Sequence, residues 1–146
     1  KNKAKSLDSA KLKALSMQAI DEVRSVDAEL ARFESAHPTG DPTELVIVDD
    51  GSEQADLLEE LDALGVESPR GIKVKVVHLP ENLGVAGALN AGLRECENPL
   101  VARFDADDVM LEGRLEAQYR AMARDPEIDA ICIATPQDVD ALVKVS

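Results

Sequence analysis

Apolar residues recur at Leu12, Leu15, Ala19, Val23, Val26, Leu30 and Phe33, in steps of three and four. That spacing predicts a long amphipathic helix over 7–33, stopped by the His37-Pro38-Thr39-Gly40 stretch, where proline cannot donate and disfavours helix in the residue before it. The pattern then changes period. "ELVIVDD" (44–50) is a β-branched run closed by Gly51 and predicts a buried strand. A helical stretch over 53–64 follows, with Gly65 expected as its C-terminal cap, and "IKVKVVHL" (72–79) alternates as a strand does. The alternation continues through a helix over 85–96, a strand "PLVARFDA" (99–106), a helix over 111–124 and a strand "IDAICIA" (128–134). In the tail "TPQDVDALVKVS", Thr135, Pro136 and Asp138 have the spacing of a helix start, whereas 141–145 also suits a short strand; helix is the reading taken.

Four strands separated by helices require crossover connections, which are right-handed, and so predict an α/β fold: a three-layer αβα arrangement with a mainly parallel sheet. No repeat, low-complexity tract or linker divides the chain, so residues 1–146 are expected to form a single domain. Aromatic residues are only 2% of the chain, so the core must be built from Leu, Val, Ile and Ala. Sixteen basic against 29 acidic residues give a net charge of −13, which argues against general binding to nucleic acid or an anionic membrane. Two cysteines, Cys96 and Cys132, with no CxxC pattern, point to a reducing, cytoplasmic setting. No apolar run approaches the roughly 20 residues needed to cross a bilayer, and the opening KNKAK leads into charged helix rather than a signal-peptide core.

Chemistry concentrates at two predicted strand ends. Asp49 and Asp50 follow LVIV, and Asp105, Asp107 and Asp108 follow LVARF. In an open parallel sheet, ligands bind beyond the carboxyl ends of the strands. Acids gathered there repel one another unless donors or a cation compensate them, and a hard divalent ion takes oxygen ligands from one or two carboxylates, water and phosphate. The plainer reading is that these aspartates cap turns and the helices that follow, a role Asp commonly fills. Between the clusters lies "ENLGVAGALNAGL" (81–93), whose Gly84 and Gly87 permit close backbone approach at a helix start; equally, small residues there let a helix lie close to the sheet.

Taken in order, "VIVDDGS", "NLGVAGALNAGL" and "ARFDADD" resemble the nucleotide-sugar-binding half of family 2 glycosyltransferases, over about 44–134. The resemblance implies a Rossmann-like GT-A fold and transfer of a sugar from a nucleotide diphosphate sugar, UDP-linked as a rule, to an acceptor saccharide or other hydroxyl compound. By position it implies that Asp50 receives the nucleobase with Asp49 nearby, and that Asn82, Gly84 and Arg103 line the donor pocket with Asn90 supporting the helix. It also implies that Asp105, the first acid of the DXD motif, sits by ribose or diphosphate, and that Asp107 ligates Mn²⁺ or Mg²⁺.

Two parts of the family pattern are missing between Lys1 and Ser146. The family's first strand, of the type "VSVIIPVYN", lies centrally in its sheet, and its acceptor-side region supplies a general base; Asp138 and Asp140 lack the setting for that role, so no base is assigned. A sheet without its central strand leaves backbone groups unpaired. Three remedies are open: the tail "ALVKVS", a strand-donating partner chain, or residues beyond this sequence, which is the expectation adopted. Two other functions compete. "FDADDVML" also resembles the haloacid-dehalogenase phosphatase signature, although Lys144 is the only lysine after it. The chain is otherwise a non-catalytic module that binds nucleotide or a protein partner, its first helix offering a stripe for coiled contact.

Overall fold

A computed structural model of the chain describes residues 9–37, 43–66 and 72–131. Its elements run α1 (Ser9–Ala36), β1 (Glu44–Asp49), α2 (Ala55–Val66), β2 (Lys73–His78), α3 (Gly84–Glu95) and α4 (Arg114–Arg124). Strands β1 and β2 pair in parallel, in continuous register from Glu44 opposite Lys73 to Asp49 opposite His78.

The layering follows from the pleat. Side chains alternate between faces along a strand, and residues paired in register share a face. Val76 lies opposite Ile47, and Val48 lies opposite Val77, so Val76 and Val48 point to opposite sides of the sheet. A Cβ added to Gly65 would stand 3.2 Å from Val76 Cγ2, and one added to Gly92 would stand 3.0 Å from Val48 Cγ2. Thus α2 packs on one face through Gly65 and α3 packs on the other through Gly92, giving helix, sheet, helix. Gly65 is therefore not the cap the sequence suggested: α2 continues through it to Val66, because the missing side chain lets the helix settle against β2.

Helix α1 reaches three residues beyond its predicted end, and His37 N closes its last turn by donating to Phe33 O at 3.0 Å. It buries Ile20 and Val26, and Leu61, Ile72, Leu115 and Ala117 are the other buried apolar side chains among the described residues. Two acids on α1, Asp27 and Glu29, are buried as well. Glu29 Oε1 accepts the Gly113 amide at 2.8 Å, which satisfies a donor ahead of α4. Phe33, His37 and Tyr119 stack at centroid separations of 4.6–5.3 Å, and His37 also pairs with Glu116, so the end of α1 is fastened to α4.

The predicted strand 99–106 does not form. Its start is anchored, since Glu44 Oε1 accepts from Glu97 N, Asn98 N and Asn98 Nδ2 at 2.6, 3.0 and 3.2 Å. Beyond that anchor the run has no ladder partner among the described residues, and Leu100 and Val101 stay half exposed. A β-branched run needs a neighbouring strand, and among the described residues β1 has one only on its β2 side. Leu79 N donates to Asp49 O at 2.9 Å, so residues 45, 47 and 49 turn their backbone groups to β2 while Val46 and Val48 turn theirs away. Residues 128–131 likewise form no strand, though Gln118 Nε2 holds Ile131 O at 3.0 Å. The remainder of the predicted fourth strand, Cys132, the tail and its Asp138 and Asp140 lie outside the described residues, whereas Cys96 is a free thiol. Among the described residues, no helix is long and apolar enough to cross a membrane.

Candidate functional site

Strand β1 delivers two consecutive acids to its carboxyl end, and the pleat sends them opposite ways. Asp49 shares its face with Ile47 and with His78, its partner in register, on the side covered by α2. Its side chain is 4% exposed and both oxygens are occupied. Oδ1 accepts Ser52 N at 3.1 Å, closing the turn after the strand, and Oδ2 meets His78 Nδ1 at 3.0 Å. The other ring nitrogen, His78 Nε2, lies 2.8 Å from Asp62 Oδ1 on α2. Burial pushes the Asp49 carboxyl up, but the hydrogen bonds from His78 and Ser52 outweigh it and hold its pKa below the ordinary 3.8. The bonds to Asp49 and then Asp62 raise the pKa of His78 above 6.5.

Asp50 turns to the α3 side, where its Oδ1 accepts the Leu83 amide at 2.7 Å, just ahead of the helix. Its Oδ2 has no partner among the described residues. Gly51 adopts φ +76°, and a Cβ there would fall 2.6 Å from both Asn82 N and Glu81 C. Only glycine allows the turn after β1 to press so closely on the loop after β2. Asn82 Oδ1 accepts Gly84 N at 3.1 Å, and Gly84, at φ +74°, has open space where a side chain would project. Asn90 lies exposed on α3. The structure therefore brings Asp49, Asp50, Asn82 and Gly84 together at the carboxyl ends of two parallel strands.

The second acidic cluster is a turn rather than a strand end. Asp108 N donates to Asp105 O at 2.9 Å, so residues 105–108 reverse the chain. Arg103 forms a two-point pair with Asp105, Nε to Oδ1 at 3.0 Å and Nη2 to Oδ2 at 2.8 Å, while Arg114 Nη2 holds Arg103 O at 2.8 Å. Two expected ligand contacts, Arg103 and Asp105, thus neutralise each other. Asp107 and Asp108 are exposed. Among the described residues, no three His, Cys, Asp or Glu side chains converge to hold a metal ion. The sequence signals His78 and Asp62 only faintly, through a histidine that closes one strand beside another that ends in acids.

Residues 21–143 match the glycosyl transferase family 2 domain, and the chain belongs to that family. It is 38% identical over 97 residues to the amylovoran biosynthesis glycosyltransferase AmsE of Erwinia amylovora, a match covering 66% of this chain and 35% of that protein. It is 31% identical over 87 residues to the UDP-Gal:alpha-D-GlcNAc-diphosphoundecaprenol beta-1,3-galactosyltransferase of Escherichia coli, covering 60% of this chain and 30% of that one. The dodecaprenyl-phosphate galacturonate synthase of Rhizobium johnstonii is 36% identical over 64 residues, 44% of this chain and 18% of its own length. The chain spans about a third or less of these curated relatives. No solved structure matches it. Membership makes this a glycosyltransferase domain and sets the phosphatase likeness of FDADD aside.

Proposed function

We propose that this domain binds the nucleotide of a UDP-linked sugar at the turn after β1 and serves transfer of a hexosyl group to an acceptor hydroxyl. The observation that carries the reading is the Asp50 carboxylate, anchored by one oxygen to the start of α3 and free at the other, beside a loop contact that only Gly51 permits. A fixed carboxylate oxygen is the acceptor that a uracil ring N–H needs. Gly84 leaves room for a ligand to approach the backbone, and the N-terminal end of α3 favours a phosphate. The UDP-Gal in the Escherichia coli relative's name supports a UDP donor.

Arg103 and Asp105 are paired on the second turn, where a bound diphosphate would compete for the guanidinium and free Asp105 for a donor contact. Asp107 and Asp108 offer exposed oxygens of the kind Mg²⁺ or Mn²⁺ takes, with diphosphate and water completing the set. When bound there, an ion held by Asp107 and Asp108 would supply positive charge to offset that of the departing diphosphate. Calorimetric titration with UDP tests the reading. Binding should require Mn²⁺ or Mg²⁺, weaken at least about tenfold in Asp50→Ala, and lose its metal dependence in Asp107→Asn. Folded protein that ignores UDP with and without metal would overturn it.

A further inference from the structure

We propose that His78 is a positioning residue of the donor site: as an imidazolium clamped between Asp49 and Asp62, it fixes the turn that presents Asp50. The inference rests on the nucleotide reading of Asp50 given above. His78 Nδ1 lies 3.0 Å from Asp49 Oδ2 and Nε2 lies 2.8 Å from Asp62 Oδ1. Ionised carboxylates only accept, so both ring nitrogens must donate, and imidazole carries two N–H groups only when protonated. Among the described residues, Asp49 from β1 and Asp62 from α2 are the charged groups that meet the ring. Their combined effect raises the histidine's pKa.

The two partners differ in their freedom. The Asp62 side chain is 67% exposed and can turn to water, whereas the Asp49 side chain is 4% exposed and cannot. On deprotonation the remaining N–H stays with Asp49, the tie to α2 opens, and the bond to Asp49 loses its ion-pair attraction, keeping only the charge of its acceptor. Asp49 Oδ1 is the acceptor that closes the turn at Ser52, and Asp50 is the next residue along the chain. A looser Asp49 therefore means a looser Asp50, and donor affinity should fall about threefold to tenfold as pH rises through the histidine's pKa.

Nuclear magnetic resonance on the ¹⁵N-labelled chain, combined with UDP titration in the presence of Mn²⁺ across the same pH range, tests this. The His78 ring should titrate above 6.5 and the Ser52 amide should shift with the same midpoint. Asp62→Asn, a change at an exposed position, should lower that midpoint, and His78→Gln should leave the Ser52 amide flat and UDP affinity independent of pH over this range. A Ser52 amide that stays still while His78 titrates overturns the proposal, as does UDP affinity that ignores the His78 midpoint. Failure to bind UDP at any pH, with Ser52 still following His78, removes the nucleotide reading and leaves the imidazolium's hold on the turn supported.

Discussion

Asp49 and His78 set opposite limits on stability. The folded pKa of Asp49 lies below 3.8, so its contribution is complete above that value and is lost as pH falls through the folded pKa. The folded pKa of His78 lies above 6.5, so its contribution is complete below 6.5 and is lost as pH rises through the folded pKa. Urea midpoints measured against pH should therefore form a plateau between these limits, and His78→Gln should remove the alkaline decline. The glycines can be ranked in the same way. Gly51→Ala meets a left-handed φ and backbone at 2.6 Å, and should cost about 2–4 kcal/mol from strain and overlap together. Gly84→Ala meets the same φ but open space, and should cost about 1–2 kcal/mol. At this scale the acids were legible in the sequence because three carboxylates in four residues demand a reason. The partners of Asp49 were not, because His78 and Asp62 reach it only once register and α2 are fixed.

The helices were read nearly to their ends, since a stripe of period 3.6 is local information carried by the segment itself. The strands were read only where a neighbour exists. ELVIVD and KVKVVH became β1 and β2 because each supplies the other's hydrogen bonds, whereas PLVARFDA has the composition of a strand but, among the described residues, no ladder to join. Gly65 differs from its expected role as a cap for a related reason: a glycine near a helix end has the pattern of a cap, and only the sheet beneath it reveals a packing role. Gly92 makes the packing role testable. Gly92→Leu would drive a side chain into Val48, lift α3 from β1, and cost about 1–3 kcal/mol by overpacking, measurable in a denaturant titration. The loss should extend to UDP affinity, because Leu83 at the head of α3 holds Asp50.

At the scale of the whole molecule, one edge of β1 and one flank of α3 are left uncovered among the described residues. Val85, Leu89 and Leu93 follow each other at four-residue steps and are exposed, as are Leu100 and Val101. Exposed apolar surface of this kind promotes association. The net charge of −13 opposes it by repulsion, so sedimentation should show more association as salt screens that charge, and Leu89→Lys with Leu93→Lys should reduce it. Surface changes of this sort should alter folding stability by no more than about 0.5 kcal/mol each. The division of Asp49 and Asp50 between the two sides of the sheet has a last consequence, for length rather than composition. One residue inserted within β1 would swing Asp49 toward α3 and Asp50 toward α2, exchanging a clamped acid for a ligand-facing one in a single step. Lineages of this domain should accordingly vary the letters of this strand far more readily than their number.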